Sequence, residues 1–130
     1  MCLYVKANAV AHVAKKDIVV YKIVRRRKVE NSYYNYFTGI KRFIYTLGKK
    51  TKSVELKPYM TIILPNCYRI EEGFHSYSDK PNAFDMVSSS AAIKCIIPKG
   101  ATYYKGHPKY SKGELVSSCI IPIEEVKLNN

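Results

Sequence analysis

The sequence predicts an α+β fold, a single domain spanning residues 1–130 with a mostly antiparallel sheet of about seven short strands and one main helix over residues 81–91. Three observations predict it. Short β-branched and aromatic runs recur along the chain, and Gly, Pro and Asn cut them at close intervals. One stretch alone combines a capping residue, an early Pro and apolar positions at helical spacing. A chain of 130 residues with 47% hydrophobic content also buries about two-thirds of its unfolded surface, enough for one core without a metal or a disulfide frame.

The elements follow in order. Residues 7–16 place Ala9, Val10, Val13 and Ala14 at helical spacing, which in so short a piece reads as a turn or loop almost as well as a helix. Residues 17–24 are β-branched and aromatic throughout and read as a core strand. A strand-like run, 40–45, follows the Gly39 turn, and Pro58 and Pro65 bracket another at 60–64 before a turn at Asn66. Residues 73–77 form a short strand ending at Ser78-Asp79, either of which can cap the expected helix, with Pro81 where its missing N–H costs nothing. Ala83, Phe84, Val87 and Ala91 form the buried face of that helix. Residues 93–97 are a strand stopped by Pro98-Lys99-Gly100, and 102–104 resume extended structure. The chain closes with strands at 114–121 and 123–126, parted by Pro122 at an edge or kink. No internal repeat or linker interrupts the run.

Charge is distributed unevenly. Residues 1–57 hold 14 of the 22 Lys and Arg against 3 of the 10 Asp and Glu, whereas the remainder holds 8 against 7. A one-sided positive field attracts phosphates and acidic surfaces at long range, so the partner is expected on the first half. Five apolar residues precede Lys6 at the N-terminus, too few for a secretory core, and no stretch approaches the ~20 apolar residues of a membrane span. The expectation is a cytoplasmic protein of a bacterial cell with no membrane partner. Cys2, Cys67, Cys95 and Cys119 lack metal-ligand spacing and read as reduced, buried thiols.

The candidate binding residues lie where cations and aromatics interleave: Arg25, Arg26, Arg27, Lys28, Tyr33, Tyr34, Tyr36, Lys41, Arg42, Lys49, Lys50 and Lys52. Lys and Arg neutralise phosphates and release counterions, while aromatic faces stack on unpaired bases. Nucleic acid or a nucleoprotein is therefore the expected partner. A solvated basic turn with tyrosines half-buried on a sheet has the same composition, and an acidic protein answers to the same field.

His75 stands out among the three histidines because it sits on a short strand with Asp79 four residues on, but a catalytic His also needs a nucleophile and an orienting carboxylate within reach. No His, Cys, Asp and Glu set has metal-ligand spacing, and no glycine-rich phosphate loop is present. No metal and no cofactor are expected on these grounds.

Tyr21-Lys22, Glu72 to Tyr77, Cys95 to Tyr104 and Gly113 to Ser117, in that order, resemble small uncharacterised proteins encoded by Bacteroidetes bacteria and their phages, over most of the chain. The resemblance implies a phage or mobile-element origin. The same elements are distantly similar to the ADP-ribosyltransferase fold, in which a strand with Arg or His is followed by an aromatic-Ser-Thr-Ser strand, an Ile-Pro-Lys-Gly-Ala strand and a Glu-x-Glu strand. Ile97 to Ala101 match the third element, Gly73 to Ser78 the second, and Glu114 falls at the first Glu of the last. Lys22 stands for the usual Arg, and Val116 occupies the place of the catalytic Glu, so the resemblance implies a shared fold more than an activity.

The function expected from the sequence is a small basic non-enzymatic binding protein that docks on nucleic acid or a nucleic-acid-handling complex, with inhibition of a host defence nuclease as one form of it. The alternatives are a divergent ADP-ribosyltransferase-like protein using His75 and Glu114, and a structural virion component.

Overall fold

The computed structural model describes residues 3–26, 32–36, 42–60, 66–81 and 90–127. Twelve strands run through them: β1 (Leu3–Lys6), β2 (His12–Val13), β3 (Ile18–Arg26), β4 (Ser32–Tyr36), β5 (Arg42–Thr46), β6 (Tyr59–Met60), β7 (Cys67–Ile70), β8 (Phe74–Tyr77), β9 (Ser90–Ile97), β10 (Thr102–Lys105), β11 (Glu114–Ser117) and β12 (Ile121–Val126). They form two antiparallel sheets. A larger one has the order β12-β9-β3-β8-β11-β10-β2, with the β4–β5 pair joined to β3, and a smaller one has the order β1-β7-β6.

The described residues are thus all β, and the expected α+β class is overturned. The expected helix at 81–91 falls largely on residues 82–89, which lie outside the described residues, but its last two positions, Ser90 and Ala91, already belong to β9. Ala91 pairs with Val24 across β3 and is 4% exposed. Ala by itself favours a helix over a strand, but the eight-residue pairing of β9 with β3 overrides that preference.

β3 organises the larger sheet. β9 pairs along one side of it from Ile18 to Arg25; on the other side β8 meets it at Tyr21 and β4 at Arg25 and Arg26. Its alternation is that of a strand with two unlike faces. Val20, Lys22 and Val24 are buried, while Val19, Tyr21 and Ile23 are exposed or half-exposed. The buried face joins Ile93, Cys95 and Ile97 of β9 with Phe74, Leu115 and Ile120 in the main core, which the β4–β5 pair closes with Tyr33 and Tyr45. Phe43 meets Phe74 edge-on with ring centres 5.3 Å apart, and Tyr45 lies 4.8 Å from Phe43. Residues 32–36, for which the sequence pattern predicts no strand, pair with both β3 and β5.

A second, smaller core forms on the opposite face of the larger sheet. Leu3, Val5 and Ile70 of the small sheet, all fully buried, pack on Val116 and Tyr104. β1 and β7 are not evident in the sequence because four residues hold only two periods of alternation.

Candidate functional site

The two faces of β3, β8 and β11 differ sharply in chemistry. On the face turned to the main core, Lys22 is 3% exposed and its Nζ donates to the main-chain carbonyl of His75, with the ring of Tyr45 beneath it at 5.3 Å. Burial pulls the Lys22 ammonium down to about 8, and the nearby Cys95 works weakly the other way. Burial likewise pushes the Cys95 thiol up to about 12. The Oγ of Ser76, on the same face of β8, is buried with no hydrogen-bond partner among the described residues.

His75 is 7% exposed and its Nε2 lies 3.3 Å from the Glu71 carbonyl. Burial, and after it the charge of Lys22, hold its imidazole down at about 4. The ring is therefore neutral at pH 7. With Nε2 facing a carbonyl it carries its proton there, and Nδ1 is the buried acceptor left without a partner among the described residues.

The outer face carries a row of polar and aromatic positions that follows from register alone. Glu124 pairs with Lys94, Lys94 with Tyr21, Tyr21 with Tyr77 and Tyr77 with Glu114, so five strands, β12, β9, β3, β8 and β11, contribute one residue each. Residues directly opposite in antiparallel strands present their side chains on the same face. Lys94, Tyr21, Tyr77 and Glu114 are all half-exposed and Glu124 exposed. Burial raises the Glu114 carboxyl above its ordinary range, and a hydrogen bond from Ser111 opposes the rise. Ser111 Oγ also accepts from the Tyr4 amide at 3.1 Å, which ties the start of β11 to the edge of the small sheet.

The partner of Glu114 in this row is Tyr77, not His75, which sits opposite Val116 further along the same two strands. Val116 is fully buried in the second core. The position where the family resemblance expects the catalytic carboxylate thus faces the small sheet, and Glu114 is the carboxylate of β11 that reaches solvent. The register of β8 against β11 decides this, and a single sequence does not display it.

The predicted binding residues do not form one uniform surface among the described residues. Arg25 and Arg26 are exposed at the end of β3, with Arg26 Nη1 3.9 Å from Glu125. Lys49, Lys50 and Lys52 are exposed on the segment after β5, which Gly48, Thr51 and Val54 tie by their amides to Pro122, Ile120 and Ser118. Tyr33 is 7% exposed and packed in the main core, so its ring faces are taken up by the protein itself. Tyr34 and Tyr36 occupy β4 and Arg42 opens β5, Tyr34 opposite Arg25 and Tyr36 opposite Arg42. Arg27, Lys28 and Lys41 lie outside the described residues, as does Cys2.

Cys67, Cys95 and Cys119 are buried and free. No group of three or more His, Cys, Asp or Glu that could hold a metal occurs among the described residues. No helix among them is long and apolar enough to cross a membrane. Comparison of the chain with protein-family models, with curated proteins and with solved structures gave no match.

Proposed function

We propose that the chain is an ADP-ribosyltransferase-like protein that holds a nicotinamide dinucleotide along the outer face of β3, β8 and β11, with Glu114 as the carboxylate beside the reacting ribose. The observation that carries this reading is the row Tyr21, Tyr77 and Glu114. Three segments far apart in sequence, each an element of the family resemblance, lie as neighbouring strands in register with these residues on one face. The roles follow from chemistry. Tyr rings offer faces for the nicotinamide and adenine rings. A carboxylate in a partly dry setting stabilises the positive charge that develops on the ribose as nicotinamide leaves. Lys94, next to Tyr21, supplies a cation for the pyrophosphate. His75 stands on the same face as Tyr77 but is buried opposite Val116 and takes no part in this reading, and Lys22 lies on the far face with Tyr21 in its stead. Calorimetric titration with NAD tests it: wild type should bind, and Tyr21→Ala and Tyr77→Ala should each weaken binding five-fold or more, the loss of a stacked ring being about 1–3 kcal/mol. Absence of binding by the folded wild type at millimolar NAD would sink the reading.

A second reading, a non-enzymatic protein whose basic half docks on nucleic acid or on a nucleic-acid-handling complex of a phage-infected cell, is favoured by a separate observation. Lys6, Lys15, Lys16, Arg25, Arg26, Lys49, Lys50, Lys52 and Lys57 are all exposed, and among the described residues of that half only Asp17 and Glu55 oppose them. Nuclease inhibition would be one form of this docking. Pull-down from the host with and without nuclease separates the cases: partners lost after nuclease treatment mark nucleic acid, and partners retained mark a protein.

A further inference from the structure

We infer that the outer face of the small sheet is a stacking platform for single-stranded nucleic acid, built from Tyr4, Arg69 and Tyr59. The inference rests on the second reading above and extends it from charge to the bases. In β1, β7 and β6 the pairs are Tyr4 with Arg69 and Tyr59 with Arg69, so the three side chains stand in one row across the whole sheet. Leu3, Val5 and Ile70 alternate with them and are fully buried in the second core, which turns the row outward. Tyr59 is 51% exposed and Tyr4 half-exposed.

A Tyr-Arg-Tyr row across a three-stranded sheet, exposed at Tyr59 and half-exposed at Tyr4 and Arg69, has a definite chemical complement. The two Tyr positions lie two strand spacings apart, about 10 Å, leaving room for a base on each ring with the guanidinium between them. Arg69 is held by Glu71 at 2.8 Å, and its Nε is buried with no partner among the described residues. A guanidinium fixed in this way stacks on a base or meets the phosphate that links two bases.

The outer edge of β1 extends the row. The His107 amide donates to the Tyr4 carbonyl and the Tyr4 amide to Ser111 Oγ, so the turn at 107–111 sits against Tyr4. That turn carries Tyr110, 37% exposed, with the Lys109 ammonium 5.5 Å from its ring centre. Lys6, exposed, stands two residues beyond Tyr4 on the same face of β1. Aromatic faces alternating with cations are the composition that binds an unpaired strand with little sequence preference: bases stack on the rings while lysines follow the backbone. A duplex hides its base faces and would use the lysines alone.

The test is fluorescence anisotropy with a labelled oligo-dT fifteen-mer and a duplex of the same length. Tyr59→Ala sits on a two-residue edge strand outside both cores and should fold as wild type. It should weaken oligo-dT binding at least five-fold and leave the salt slope unchanged, whereas Tyr59→Phe should bind as wild type. Arg69→Lys should also weaken binding, because an ammonium keeps the charge and loses the planar face. Wild-type binding to oligo-dT that Tyr59→Ala does not alter would overturn the platform and leave the charge-based docking standing. Equal affinity for oligo-dT and duplex, or displacement of oligo-dT by polyglutamate at equal charge, would also overturn it. No binding by wild type at low salt would overturn both.

Discussion

Lys22 on β3 donates its Nζ hydrogen bond to the carbonyl of His75 on β8, and burial lowers the proton affinity of both side chains. The bond joins the strands that carry Tyr21 and Tyr77 on their opposite face. A buried ammonium with a carbonyl and an aromatic ring for company recovers only part of its hydration. The core of this protein therefore carries a pH-dependent cost of burying Lys22 on the face opposite Tyr21 and Tyr77.

Lys22→Met should be at least as stable as wild type at pH 7, because it removes a buried charge that has no carboxylate partner among the described residues. The folded-state value, about 8, lies below the ordinary 10.5, so the folded form binds fewer protons. Stability from this group is present above 10.5 and lost as pH falls through 8, a span of about 3 kcal/mol. The advantage of the Met variant should shrink as pH rises from 8 to 10 in denaturant titrations. A variant less stable than wild type by the same amount at every pH would show the hydrogen bond to His75 outweighing the burial cost.

His75 gives an acid limb of the same sign. Its value falls from 6.5 to about 4 on folding, so its contribution is complete above pH 6.5 and lost as pH drops through 4, again about 3 kcal/mol. The melting temperature should fall steeply over that interval. His75→Gln should flatten that limb; an unaltered slope would assign the acid loss to other groups.

Gly73→Ala should destabilise the joint between the sheets. Gly73 has φ +125°, and a Cβ there would lie 2.6 Å from both Leu56 Cδ2 and Val116 Cγ2. Backbone strain and overpacking together should cost about 2–4 kcal/mol. A chemical-denaturation midpoint equal to wild type would mean that Leu56 moves aside freely.

Changing Arg25, Arg26 and Arg27 together to Ser should flatten the salt dependence of binding to anionic polymer. Each phosphate that a cation no longer neutralises lowers the log–log slope by ~0.9 on duplex or ~0.7 on a single strand. An unchanged slope measured over a salt series would remove the end of β3 from the interface.

The sequence displayed those parts of the fold that local chemistry determines. Continuous β-branched runs marked β3 and β9, and the Pro98-Lys99-Gly100 turn marked where β9 ends. Residues 81–91 looked helical because Ala, Ser and a leading Pro suit a helix start, yet Ala91 and Ser90 take their conformation from pairing with Val24 and Arg25. The interleaved cations and tyrosines at 25–52 suggested one stacking surface. Alternation places Tyr33 and Tyr45 in the main core, and a further row of Tyr4, Arg69 and Tyr59 is drawn from three separate segments. Register between distant strands was the missing information, both there and for Glu114, which pairs with Tyr77 rather than His75.

Nicotinamide release from NAD in the presence of host lysate, followed with a labelled acceptor, tests the proposed role of the β3-β8-β11 face most directly. Wild type should turn over, Glu114→Gln should lose turnover by two orders of magnitude or more, and His75→Gln, folded and measured at pH 7, should keep it. Folded wild type that binds NAD yet releases no nicotinamide, or a Glu114→Gln variant as active as wild type, would contradict the account.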